Sequence, residues 1–226
     1  MKKSLSIFLL FWLSLFCAGQ NKKYAEIINS GYNGKIYSIT TKIYNDSLKE
    51  KTADSLISTR TRYYNKDGNA TKEVYQNRND SQITDYEYKN GIRKGYSINK
   101  DGEVWTNAEI IQQKTGHLIN TYALHTMPVS KEVYKYNSDF KIKNNDRTIY
   151  NNQNGKIIKH TFTEYYYDKD GFISGYDIKD LLTSKLITYR FQILQKDAHK
   201  NPKRIILLKN NTPFQIHLVD IEYYKH

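Results

Sequence analysis

Apolar and polar positions alternate with a period of two along most of the chain, which is the pattern of strands that bury one face. From Ile36 to Tyr44, Tyr37, Ile39, Thr41 and Ile43 fall on one side, and Ser38, Thr40 and Lys42 on the other. Ile157 to Tyr167 sets Ile158, His160, Phe162, Glu164 and Tyr166 opposite Ile157, Lys159, Thr161, Thr163, Tyr165 and Tyr167. Lys185 to Gln195 has the cleanest single face, made by Ile187, Tyr189, Phe191 and Ile193. Phe214 to Tyr224, rich in β-branched and aromatic residues, reads as a closing strand.

Between such runs a short segment recurs: one to three tyrosines, an Asn or Asp, one or two polar residues, then Gly. It stands at Tyr63 to Gly68, Tyr96 to Gly102 and Tyr165 to Gly171, with shorter relatives at Tyr86 to Gly91 and Tyr150 to Gly155. An Asn or Asp that bonds the backbone ahead, polar residues suited to a type I turn, and a Gly at positive φ together describe a hairpin corner. Gly68, Gly102 and Gly171 are therefore expected at positive φ. Asp46 to Ile57 breaks the pattern: it is poor in β-branched residues, and Ser47 precedes Glu50 by three, so a short helix or loop is expected there. Asp180-Leu181-Leu182 suggests a helical turn, and Glu109 to Ser130, with Gly116, Pro128 and irregular apolar spacing, reads as a joint between β halves. The expected fold is mainly β, with antiparallel hairpins and meanders forming a curved sheet or sandwich. It would be one domain over 20–226, the alternative being two halves, 20–108 and 131–226.

The first residues set the compartment. Lys2 and Lys3 precede an apolar run from Leu5 to Phe16, the charged and hydrophobic regions of a secretory signal and too short to span a bilayer. Ala18-Gly19 favours cleavage before Gln20, which gives an exported, periplasmic or extracellular chain. Cys17 raises a lipoprotein anchor as the alternative, but Phe16 and Ser14 suit a lipobox badly. The mature part then lacks cysteine, so no disulfide braces it. Packing falls to tyrosine, present 21 times, whose ring buries area while its hydroxyl stays wet.

The hairpin repeats resemble the YD-repeat (Rhs-like) β-repeats of bacterial secreted and cell-envelope proteins. The C-terminal part is most similar: Tyr189-Arg190-Phe191, Lys196 to Pro202, Arg204-Ile205-Ile206 and Ile221-Glu222-Tyr223-Tyr224. The likeness covers residues 59–102 and 131–224 and departs where a Gly is expected, at Lys200 and beside Phe140. It implies antiparallel sheet, an extracytoplasmic location and a scaffold or binding role, with no catalytic residues to carry over.

Candidate chemistries are thin. Asp168-Lys169-Asp170-Gly171 resembles the start of a calcium loop but lacks the third acidic ligand and the distal Glu, so it reads as a turn. The histidines at 117, 125, 160, 199, 217 and 226 show no metal-ligand spacing. There is no Gly-x-Ser-x-Gly elbow and no Gly-rich phosphate loop. Paired carboxylates for glycoside cleavage could stand among the 23 acidic residues, and Glu164, beside the tyrosine cluster, is a candidate for one of them. Asp46-Ser47-Leu48 and Asp54-Ser55-Leu56 are similar to bacterial O-glycosylation tripeptides, and helix capping accounts for Ser47 equally. No catalytic, cofactor or metal residue is assigned.

Without Lys2 and Lys3 the chain keeps 33 basic against 23 acidic residues, an excess of +10. That favours an anionic glycan or an acidic protein surface as partner; export and the absence of a recognition motif disfavour nucleic acid. Trp105, Tyr165, Tyr166 and Tyr167 form the candidate binding surface, Trp105 as a stacking platform and the triplet because successive strand residues face opposite sides. The expected function is an exported, non-catalytic β-repeat protein that binds a glycan or protein. The alternatives are a periplasmic carrier of an apolar ligand and a glycan hydrolase.

Overall fold

A computed structural model describes residues 31–45, 55–100, 102–113, 115–123, 127–139, 141–151 and 153–225. The signal-like segment, Cys17 and Ser47 lie outside the described residues, so export and cleavage stay as expectations. The strands are β1 (Ile36–Asn45), β2 (Leu56–Tyr64), β3 (Ala70–Asn77), β4 (Ser81–Lys89), β5 (Ile92–Lys100), β6 (Glu103–Gln113) and β7 (Gly116–Ala123). They continue as β8 (Met127–Tyr136), β9 (Ile142–Tyr150), β10 (Ile157–Tyr167), β11 (Ile173–Asp180), β12 (Leu186–Lys196), β13 (Pro202–Lys209) and β14 (Thr212–Tyr223).

Each strand pairs antiparallel with its neighbours in sequence, and β1 also pairs with β14 from Ile36↔Tyr223 to Asn45↔Gln215, so the meander closes into a 14-stranded barrel. This corrects the expected open sheet or sandwich: closure pairs both edges of every strand and leaves no exposed edge. Two further expectations change. Leu56 and Ile57 open β2, with 46–54 outside the described residues, and no helix occurs among the described residues. Glu109 to Ser130 is not a joint but runs through β6, β7 and β8, paired in register like the rest.

The barrel has two rims. The near rim carries the β2–β3, β4–β5, β6–β7, β8–β9, β10–β11 and β12–β13 turns; the far rim carries the β3–β4, β5–β6, β9–β10, β11–β12 and β13–β14 turns. On the near rim the expected turn chemistry recurs. Side-chain oxygens of Asn65, Asn137, Asp168 and Asp197 each accept the amides two and four residues ahead, at 2.8–3.0 Å. Gly68 and Gly171 take φ of 80° and 87°, and Lys200 takes the same left-handed corner at 67° where a Gly was expected. Gly102 has φ 86° as expected, but in a tighter far-rim corner where Lys100 pairs with Glu103 and Asn99 turns its amide to Asp85 at 3.0 Å.

Register separates the faces. Ile39, Thr41 and Ile43 of β1 lie opposite Arg62, Arg60 and Ser58 of β2 and opposite Ile221, Val219 and His217 of β14, all inward. A bulge between Ile36 and Ser38 sends Tyr37 out of this face, where it is 43% exposed. Inside, Ile36, Ile39, Tyr64, Ala70 and Val219 form one core cluster, joined by Ile205, Ile221 and Tyr223. A second cluster, Ala108, Ile110 and Ile119, sits across the barrel with Tyr96 and Tyr134. Ahead of β1 the chain crosses the near rim: Tyr32 meets Phe172 edge-on at 5.5 Å, and fully buried Asn201 holds Asn33 through its amide (2.7 Å) and carbonyl (2.8 Å).

The outer face is largely polar. Lys42, Asp85, Glu87, Glu109, Lys131, Lys135, Glu164, Asp220 and Glu222 are exposed there, spread over six strands. The exception is β13–β14, where Ile206, Leu208, Ile216 and Leu218 point outward together. A barrel that crosses a bilayer needs a continuous outward apolar band, and an Arg or Lys at its midplane costs about 2–4 kcal/mol. This face has the opposite composition.

Candidate functional site

Fourteen strands enclose more volume than their own side chains fill; eight-stranded barrels pack solid or hold one small ligand. The excess space is a cavity of about 820 Å³ inside the barrel, between β2 and β11. Its lining reaches Asn69, Gly91, Ile92 and Gln113, beside the near-rim turns, so its mouth lies at that rim. The strap at Tyr32 and the Ile36–Val219 cluster fill the remaining side of the lumen.

Tyrosine doublets build the wall. Tyr86 and Tyr88 on β4, Tyr134 and Tyr136 on β8, and Tyr165 and Tyr167 on β10 each stand two residues apart, so both rings of each pair face inward. Most of their hydroxyls have fixed partners: Tyr88 donates to the Ala70 carbonyl at 2.6 Å, Tyr134 to Glu132 at 2.7 Å and Tyr167 to the Ile142 carbonyl at 2.9 Å. Burial pushes the Tyr86 hydroxyl up to about 12 against the pull of Arg62, so this phenol is neutral at pH 7. Ile98, Ile110 and Ile119 supply the apolar floor.

Charge inside the cavity is uneven. Glu73 is shared by two arginines, accepting from Arg62 Nε at 2.7 Å and pairing with Arg60 Nε at 3.3 Å, so this trio keeps one positive charge. Arg93, whose guanidinium lies 5.1 Å over the Tyr86 ring, also lines the cavity, and burial lowers its pKa. Glu132 is matched by Arg147 at 3.4 Å. His117, buried, stacks on Tyr134 with centroids 4.5 Å apart, and its Nδ1 meets the Tyr136 hydroxyl. Burial, helped by Arg93, pushes its pKa down to about 4, so the ring is neutral at pH 7. Among the described residues no group of three His, Cys, Asp or Glu side chains could share a metal ion.

The four residues singled out from sequence do not share a face. Tyr165 and Tyr167 line the cavity. Tyr166 points outward, donating to Asp177 at 3.0 Å with Arg190 5.0 Å over its ring. Trp105 stands at the far rim, 55% exposed, with Lys100 Nζ 4.9 Å from its ring. Glu164 faces outward opposite Asp177 on β11. Sequence reading missed Arg60, Arg62, Glu73, Arg93, His117 and Glu132, because charged residues were assigned to solvent. The signal that could have found them is parity: Arg60 and Arg62 stand in the same alternation as buried Tyr64.

No family model matches the chain, and no curated protein does. Among solved structures it is similar to a porin-like protein from Bacteroides vulgatus ATCC 8482, with 14% identity, a TM-score of 0.53 and coverage of 84% of this chain and 100% of that one. A porin-like protein from Bacteroides uniformis ATCC 8492 matches at 11% identity and a TM-score of 0.47, covering 86% of this chain and 100% of that one. The YD-repeat resemblance is overturned: its supporting residues are turn residues, which any antiparallel meander needs, and the strands they connect close into a barrel. The chain has the barrel fold of the Bacteroides vulgatus porin-like protein, and at 14% identity the likeness extends to the fold alone.

Proposed function

We propose that this chain is an exported, non-catalytic carrier whose lumen holds an elongated ligand with an apolar body and an anionic end. The observation that carries this reading is the cavity of about 820 Å³, lined by tyrosine and isoleucine with an excess of arginine. That volume suits one lipid-sized molecule. Tyrosine rings and the Ile98–Ile110–Ile119 floor take the apolar body, while Arg62 and Arg93, on either side of Tyr86, take the charge. Lys2, Lys3 and the Leu5 to Phe16 run support export. This reading takes the place of a glycan-binding outer surface, because two rings of the Tyr165–Tyr167 triplet face the lumen.

The test is displacement of a dansyl-labelled long-chain fatty acid from the detergent-free protein, with Arg93→Gln and the uncharged methyl ester alongside. Micromolar binding is expected, weakened about tenfold by the substitution and by esterification, the loss of one charge-assisted contact of about 1.5 kcal/mol. Failure of every acyl probe to bind, together with native mass spectra free of any copurified small molecule, would rule the carrier out.

A further inference from the structure

The two rims differ in chemistry. The near rim, with the cavity mouth, is built from Asn- and Asp-capped turns. The far rim carries most of the large exposed apolar side chains among the described residues. Ile157 (51% exposed), Ile158 (59%), Leu181 (39%), Leu182 (56%), Leu186 (56%) and Phe214 (38%) lie there on β10 to β14. Register makes the first five one patch. Thr161 pairs with Asp180, which brings the Leu181–Leu182 turn beside Ile158, and Lys179 pairs with Leu186 on the next strand. The Leu181 amide donates to the His160 carbonyl at 2.7 Å and fixes the turn. The β13–β14 turn is tied alongside by Asn210, whose amide and side chain bond Thr188, two residues from Leu186. Elsewhere on the same rim, Val104 and Trp105 stand 42% and 55% exposed.

Cations surround the patch. Residues 156–160, 179–186 and 209–214 hold Lys156, Lys159, Lys179, Lys185 and Lys209 against one acid, Asp180, whose carboxylate is engaged by the Leu182 and Thr183 amides at 2.9 and 3.0 Å. The other foothold has Glu103 beside Lys100, which pairs with Asp80 at 3.3 Å.

We infer that the far rim docks on an anionic bilayer surface, with Leu181, Leu182 and Leu186 entering the interface and the lysines contacting headgroups. Aliphatic side chains on turn tips, ringed by lysine, are the composition of an interfacial anchor. A protein partner would instead be gripped by buried aromatic and arginine anchors, and the patch is aliphatic and ringed by lysine. A second copy on the same patch would press five lysines against five. Docked this way, the barrel stands with its cavity mouth away from the membrane. The inference does not depend on the lumen holding a ligand.

The experiment is flotation of the processed protein with vesicles of phosphatidylethanolamine and phosphatidylglycerol, or of phosphatidylcholine alone, at low and high salt. Binding to anionic vesicles should exceed neutral ones at least tenfold and weaken with salt. Leu181→Asn/Leu182→Asn, and separately Leu186→Asn, should lower vesicle binding at least tenfold with wild-type melting temperature. Lys156→Gln/Lys179→Gln/Lys185→Gln should erase the preference for anionic lipid. Wild-type protein that stays in the aqueous fraction, variants that float like wild type, or a dimer that the leucine substitutions dissociate would each overturn the docking.

Discussion

At the scale of single residues, the lumen is where ordinary side chains acquire unusual proton affinities. His117 is enclosed by Tyr134 and Tyr136, and burial brings its pKa from 6.5 to about 4. The unfolded chain, with this histidine near 6.5, takes up a proton that the folded chain refuses between those values. Stability is therefore complete above pH 6.5 and falls as pH drops toward 4, by up to about 3 kcal/mol from this residue. His217, pushed to about 4 by burial with Arg60 adding, slopes the same way. Urea unfolding at pH 7.5, 5.5 and 4 should show the decline, with a shallower slope in His117→Gln. An unchanged slope in that variant would contradict the assignment. None of this was legible locally, because a histidine in a β-run looks the same whether its ring faces water or a closed wall.

At the scale of elements, the corners are the best-read part of the chain. An Asn or Asp bonding amides two and four residues ahead is satisfied entirely within five residues, so Asn65 and Asp168 declare their turns without help from the rest of the fold. Lys200 shows the limit: nothing about lysine announces a φ of 67°, and it is the Asp197 amide bonds at 2.9 and 2.8 Å that hold the corner. The corners also differ in what surrounds them. Gly102 has open space where a Cβ would stand, whereas at Gly171 the Lys141 Nζ, which donates to the Gly171 carbonyl at 2.7 Å, occupies that place. Gly102→Val should cost about 1 kcal/mol from the left-handed backbone alone, and Gly171→Val more, since it also displaces Lys141. Thermal unfolding of the pair gives the order, and equal melting temperatures would refute it.

At the scale of the whole molecule, closure decides everything that the corners do not. The barrel resembles a porin-like protein in fold, yet its outer face carries exposed charge on six strands while its aromatic and aliphatic residues crowd the inside. The processed chain should accordingly remain dispersed without detergent, partition into the aqueous phase of a cloud-point separation and produce no conductance in a planar bilayer. Detergent-dependent solubility or stable single-channel currents would show that the faces had been assigned the wrong way round. What the sequence determined by itself was local: alternation that makes strands, Asx–Gly corners that make hairpins, and hence an antiparallel meander. It could not show that β1 pairs with β14, because that contact joins residues such as Ile39 and Ile221 at opposite ends of the chain, with nothing in their neighbours to mark it. Nor could it say which parity faces inward. A period of two defines two faces without naming them, and only the enclosed lumen turned Arg60, Arg62 and the tyrosine doublets from surface residues into the wall of a cavity.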